Sequence, residues 1–180
     1  MSHGHEDHMA DLEFLAKKTG AKVVGSWEFI QWANAKGITN THAMNTGGVI
    51  DFGFAEVKMV LAIHSNSLPN HSYAGLAAGY VLKNSECCFY FAGDTALTYD
   101  MKLIAEGYNL DFAFLPIGGN FTMNATDAVK AAEFINCNTI IGMHYDTFDA
   151  IKIDQDKAKH VFEGQKKNLE LMTIGVTKFY

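Results

Sequence analysis

Long apolar runs and clusters of basic residues are both missing from this chain, and proline and cysteine are scarce. The longest apolar stretches are strand-length, which excludes a membrane-spanning helix, and no basic segment followed by an apolar one opens the chain, so no secretory signal is read. The cytoplasm is the expected location. The 14 Lys and Arg are scattered against 20 Asp and Glu, for a net charge of −6. Such a chain cannot neutralise a row of phosphates, and neither a nucleic-acid nor a membrane partner is expected. With two prolines and 48% hydrophobic residues, 180 residues can bury one sizeable core and leave no room for a second ordinary domain. A single domain over residues 1–180 is expected. Of the three cysteines, Cys87 and Cys88 are adjacent and Cys137 makes the count odd, so no disulfide framework is read. Their place in or beside apolar segments points to reduced core thiols in a reducing compartment.

What the chain does have is a dense run of metal-ligating side chains. Ser2 to Asp11 reads SHGHEDHMAD and holds His3, His5, Asp7 and His8 within six residues. So many polar groups cannot all point into an apolar core, and the spacing is H-x-H-x-D-H rather than a homopolymer. Imidazole suits zinc, iron or manganese, and a carboxylate among the ligands hardens the site. Three later residues match the run. His64 follows the apolar run 57–63 (VKMVLAI), Asp94 follows 88–93 (CFYFAG), and His144 follows 139–143 (TIIGM). Each is a short hydrophobic strand pattern closing on one ligand-type residue, which is how strand ends present side chains to a shared cleft. A lone buried histidine is commonly a satisfied core residue; three strand ends closing on His or Asp are harder to explain that way. Two metal ions are expected rather than one.

Between these points helix and strand patterns alternate. Helices are predicted over 11–18, 27–36 with Ser26 as N-cap and Gly37 as stop, 98–106, 126–135 and 154–167. Strands are predicted over 22–25, 49–52, 56–63, 79–82, 88–92, 111–116, 139–143 and 170–177, those from 49 to 92 forming an antiparallel part. His42 opens a Gly-rich loop and is either locally bonded or at a cleft rim. His71, in the loop after His64, is expected in solvent, and His160 on a charged helix face. Gly118 and Gly119 begin a loop, 118–124 (GGNFTMN), that reads as a tight turn or as a close backbone approach to a ligand.

The HGHEDH run, His64, the GDT at 93–95 and His144 together resemble the metallo-β-lactamase superfold over essentially the whole chain. The phrases AIHSNS, AGDT, LPIGGNFTMNATDA and GMHYDTF are most similar to the small metal-dependent hydrolases near ascorbate-6-phosphate lactonase. The resemblance implies an α/β fold, an αββα sandwich of two mixed sheets flanked by helices. The strands that precede H-x-H-x-D-H in that fold are not found here, because only Met1 and Ser2 stand before His3. The expectation is therefore of a chain lacking those strands, with a loosely anchored metal loop and an exposed sheet edge through which a homo-oligomer could form.

The resemblance also implies a ligand set. His3, His5 and His64 would hold one divalent ion and Asp7, His8 and His144 a second, with Asp94 bridging. Zinc is the leading metal, with manganese and iron as alternatives. Water shared by two divalent cations loses a proton near neutral pH, so the resemblance implies a hydroxide nucleophile, oriented by Asp7, and no Ser, Cys or Lys nucleophile. Relatives of the fold that reduce oxygen or nitric oxide carry Glu where His5 stands and a flavin domain. Antibiotic-hydrolysing relatives carry Cys or a gap at Asp94, and tRNA-processing nucleases need a basic arm. What remains is hydrolysis of an ester, lactone or phosphoester of a small anionic metabolite. The competing reading is a catalytically idle metal-binding fragment or scaffold.

Overall fold

The computed structural model describes all residues from Met1 to Tyr180, and the chain falls into two compact units. The first comprises residues 1–86 and 92–95, the second residues 87–91 and 96–180. Parallel and antiparallel strand pairing both occur, together with helices, so the α/β class is as expected. No helix is long and apolar enough to cross a membrane.

The first unit opens on the histidine-rich run, whose second half forms a single helical turn, α1 (Glu6–Met9). Helix α2 (Leu12–Thr19) follows and ends at Gly20, whose φ of 68° lets its N–H close on the Ala16 carbonyl. Strand β1 (Val23–Ser26), helix α3 (Trp27–Ala35) and strand β2 (Thr41–Met44) then make a strand-helix-strand unit with β1 and β2 parallel. Ser26 starts α3 as its sequence position predicts. Its Oγ accepts the Phe29 N–H at 3.3 Å and donates to the Ala74 carbonyl at 2.5 Å. Phe29, Ile30 and Ala33 on the inner face of α3 pack with Met9, Ala16, Val23, Leu68 and Ala74 in one apolar cluster. Strand β2 lies in the stretch read from sequence as a loop.

Three antiparallel strands complete this unit: β3 (Val49–Asp51), β4 (Glu56–Leu61) and β5 (Ala78–Lys83). In β4 the buried residues are Val57 and Met59, two apart, as a strand with one face on a core requires. They oppose Leu82 and Tyr80 of β5, and with Met44 and Ala78 they form a second apolar cluster.

The second unit pairs its strands in parallel and in chain order: β6 (Cys88–Phe91), β7 (Phe112–Pro116), β8 (Thr139–Met143) and β9 (Asn168–Glu170). Parallel neighbours need crossover connections, and helices α4 (Lys102–Gly107), α5 (Ala125–Phe134) and α6 (Gln155–Gly164) supply one for each successive pair. The Asn124 side chain caps α5 by accepting the Asp127 N–H at 3.0 Å, and Asp154 caps α6 by accepting that of Lys157 at 3.0 Å. β6 was assigned from sequence to the antiparallel part; its pairing with β7 is parallel, Phe89 opposite Phe112 and Phe91 opposite Phe114. The closing strand, predicted over 170–177, lies instead at 168–170 and shares only Glu170 with that span. Gly175 at φ +84° and a turn from the Val176 N–H to the Thr173 carbonyl interrupt the apolar alternation beyond it.

Candidate metal centre

Within the first unit five ligand-type side chains meet: His3, His5, His8, His64 and Asp94. His3 and Asp94 are buried, and His5, His8 and His64 are half-buried. His3 Nε2 lies 3.0 Å from His5 Nδ1, and the His64 ring centroid stands 5.0 Å from that of His3 and 5.1 Å from that of His5. Asp94 faces three of the imidazoles. Its Oδ1 is 3.4 Å from His8 Nε2, and its Oδ2 is 3.6 Å from His64 Nε2 and 4.0 Å from His3 Nε2. Asp7 is exposed, and its Oδ2 lies 3.4 Å from His8 Nε2.

These spacings match what a metal ion needs. Two donors bonded to one tetrahedral zinc at about 2.0–2.1 Å stand about 3.3 Å apart. His3, His5 and His64 offer one ligand atom each within 4.8 Å of one another, and so do His3, His8 and Asp94. Two ring nitrogens that both turn lone pairs inward repel unless a proton or a cation lies between them. Burial above all, then the neighbouring His8, pushes the His3 imidazole down to about pKa 3, against the opposing pull of Asp94. His3 is therefore neutral at pH 7, the form that donates a lone pair.

The local backbone explains how a short run converges so tightly. Ser2 Oγ lies 3.1 Å from His3 Nδ1, so a proton on that nitrogen leaves Nε2 to face the cluster. The residues before His3 are firmly anchored, contrary to the loose loop expected from sequence. The Ser2 carbonyl accepts the Ala78 N–H at 2.9 Å, and the Met1 carbonyl accepts the Tyr80 hydroxyl at 2.7 Å. Asn66 clamps the run from the other side: its Oδ1 accepts the Gly4 N–H at 2.8 Å, and its Nδ2 donates to the carbonyls of Ala74 and Gly75 at 3.2 and 3.0 Å. Gly93 brings Asp94 in. Its φ is +62°, and a Cβ there would stand 2.8 Å from both the Ala78 carbonyl oxygen and Ser2 Cβ. The Thr95 hydroxyl accepts the Ile63 N–H at 3.0 Å, tying the segment before His64 to the one that carries Asp94. Ser65 Oγ lies 3.4 Å from His5 Nε2.

Ser2, Ser65 and Asn66 have no role in the sequence reading and Thr95 only a place in the GDT motif, although Ser2, Ser65 and Thr95 each directly adjoin a candidate ligand and that adjacency was the available signal.

His144 belongs to the second unit, directly after β8, with φ 56°. Its carbonyl oxygen would lie 2.1 Å from a Cβ on Gly118, so the first residue of the 118–124 loop must be glycine for the two backbones to pass. Asp146, two residues on, accepts the Ile153 N–H at 2.9 Å and the Gln155 side-chain amide at 2.7 Å, which fixes the loop after His144.

The remaining histidines are elsewhere. His42 is half-buried in β2 with its ring edge-on to Phe52, centroids 5.4 Å apart. His71 and His160 are exposed, and His160 Nδ1 bonds to the Asp156 carbonyl of its own helix at 2.6 Å. Cys88 and Cys137 are buried.

Comparison with known proteins places the chain in a family. The profile of the beta-lactamase superfamily domain matches residues 1–145. A metal-dependent hydrolase of Christiangramia forsetii is 49% identical over 175 residues, covering 97% of this chain and 77% of the relative. One from Methylacidiphilum infernorum is 43% identical over 174 residues with the same coverage. Among solved structures, a metallo hydrolase from the hyperthermophilic archaeon Ignicoccus hospitalis superposes with a TM-score of 0.88 at 28% identity, over 100% of this chain and 78% of its own.

Proposed function

The chain belongs to the beta-lactamase superfamily and is a metal-dependent hydrolase, and from that premise we propose that it cuts an ester, lactone or phosphoester bond with water activated at two divalent ions, zinc first among them. The observation that carries the reading is the convergence of three imidazoles, His3, His8 and His64, on one buried carboxylate, Asp94, with His5 set against His3. In this reading His3, His5 and His64 would hold one ion, and Asp7, His8 and His144 would hold the other, with Asp94 serving both. Divalent ions held there would lower the pKa of a water toward about 7 and polarise the oxygen of the bond under attack.

The protein's own groups do the rest. Ser2 Oγ, accepting the His3 Nδ1–H, would hold the ring in the tautomer that presents Nε2, and Asn66 Oδ1 accepts the Gly4 N–H between the first two histidines. Asp94 supplies negative charge where the imidazoles supply none, and its burial keeps water from competing for it. Asp7 is exposed beside His8, where its carboxylate can orient a water and accept a proton without leaving the site.

Metal content per chain, measured together with turnover on a panel of generic lactones, thioesters and phosphodiesters, tests the reading. About two ions per chain and a hydrolytic activity that Asp94→Asn removes are expected. One ion or fewer in fully loaded protein would refute the dinuclear site, and no turnover on any panel member with both ions bound would refute the hydrolytic reading.

A further inference from the structure

The first unit carries a cavity of about 560 Å³ that has His5 in its wall. That volume is in the range of small-molecule pockets. Its floor is apolar. Met9 and Leu68 line it, only 7% and 5% exposed, and both belong to the apolar cluster under α3, against which Trp32 is also packed. The rim carries charges of both signs that are already engaged. Glu13 bonds to Lys17 at 2.6 Å, and the Lys36 ammonium stands 5.8 Å from the centre of the Trp32 ring. Glu6 adds a second carboxylate to the lining, and His71 an imidazole. A charged guest of either sign would meet a like charge at this rim, whereas an uncharged apolar guest gains the floor and opposes nothing.

We propose that this groove holds an uncharged apolar arm of the substrate, with the bond to be cut at the His5 end. The inference rests on reading the histidine cluster as the hydrolytic centre, since His5 belongs both to that cluster and to the lining of the groove. It adds a substrate preference to that reading: the part of the molecule away from the scissile bond is aliphatic or aromatic, and the groove selects on its length. Burial of a methylene is worth about 0.8 kcal/mol, so binding should tighten about two- to fourfold for each methylene that reaches the floor of an open groove.

Two measurements on the full chain keep binding and chemistry apart. Trp27→Phe leaves Trp32 as the single tryptophan and so as a reporter inside the groove. Titration of this variant with 1-butanol, 1-hexanol and 1-octanol should give a saturable Trp32 emission change whose midpoint falls with chain length. Ala10→Arg and Pro69→Arg, made separately at two exposed lining positions, should each abolish the change by filling the groove. In zinc-loaded protein, kcat/KM for p-nitrophenyl octanoate should exceed that for the acetate ester at least tenfold, mainly through KM, and either blocking variant should bring the ratio towards one. A silent Trp32, or a response that survives both blocking variants, overturns the proposal whether or not esters are cut. Octanoate or octylammonium binding ten times more tightly than octanol overturns its uncharged character. A Trp32 response that is lost on blocking, with no ester hydrolysed, upholds the groove and counts against the hydrolytic reading alone.

Discussion

At the residue scale the site depends on keeping imidazoles neutral and aimed, which burial and a few hydrogen bonds achieve together. His3 is 2% exposed, and its ring is turned by Ser2 on one side and faced by His5, His8 and Asp94 on the other. Removing the shared carboxylate should therefore affect both proposed ions. Asp94→Asn keeps the shape and removes the charge, and elemental analysis should show metal content falling below one ion per chain. The histidines should divide sharply. His144→Ala should lose metal, whereas His160→Ala touches an exposed helix face and should change stability by no more than about 0.5 kcal/mol with metal retained. Equal metal loss in both would show that the ligand assignment is wrong. Asn66 tests the supporting shell. Asn66→Ala removes the partner of the Gly4 N–H and of the Gly75 carbonyl, while the Ala74 carbonyl keeps the Ser26 hydroxyl, and should cost about 1–3 kcal/mol in chemical denaturation and about 10–100-fold in zinc affinity. Wild-type zinc affinity in that variant would mean the clamp has no part in shaping the site.

At the scale of elements, the ligand positions at strand ends were legible because each strand is a compact apolar run that stops abruptly. β8 matches its predicted span, 139–143, and Asp94 comes three residues after the end of β6. The elements that escaped have weak local signals. β2 reads THAM, without alternation and among Asn and Gly, and it is a strand only because β1 offers it a parallel partner. The turn of α1 is too short to show a period. The predicted closing strand failed for the opposite reason, since Leu171, Met172, Ile174 and Val176 look like a strand while Gly175 breaks it. The segment after β9 is held instead by Glu170, which accepts from the Lys178 ammonium and, at 2.8 Å, from the Tyr180 hydroxyl, while the Tyr180 ring packs 4.9 Å from that of Phe112. The bond from Lys178 holds the Glu170 carboxyl below the usual carboxylate range. A depressed folded-state pKa stabilises above the unfolded value and is lost as pH falls through the folded one. Acidification through and below about pH 4 should therefore release residues 171–180, seen as faster carboxypeptidase or pepsin trimming, while the rest of the chain stays folded. Glu170→Gln should give the released behaviour already at pH 7; an end segment equally protected at pH 3 and pH 7 would show that the Phe112 contact alone suffices.

On the scale of the whole chain, the two units have different means of support. The second unit is a run of parallel strands with helical crossovers, filled by a continuous apolar core from Ala113, Leu115, Ile140, Ala128 and Ala131. In the first unit, segments far apart in sequence, residues 3–8, His64 and Asp94, bring polar side chains together with their lone pairs and charges facing one another. Ions bound there would act as cross-links on that unit, because anything that binds only the folded form stabilises it by RT ln(1 + [L]/Kd), about 2.7 kcal/mol for each ion at a hundredfold excess over Kd. Chelation should therefore act unevenly. Hydrogen exchange on metal-loaded and EDTA-treated protein should show protection lost around residues 2–9, at Ile63 and Ala78, and around residues 92–95, because the Ser2 carbonyl partner of Ala78 and the Thr95 partner of Ile63 are held in place by the segments the ions would tie together. The amides of β7 and α5 should keep most of their protection, since their bonds and caps belong to an apolar core with no ligand in it. Added zinc should restore the first set of amides and leave the second unchanged. Equal loss in both units, or no loss in either, would mean that metal does not brace the first unit and that its histidines are held together by their hydrogen bonds alone.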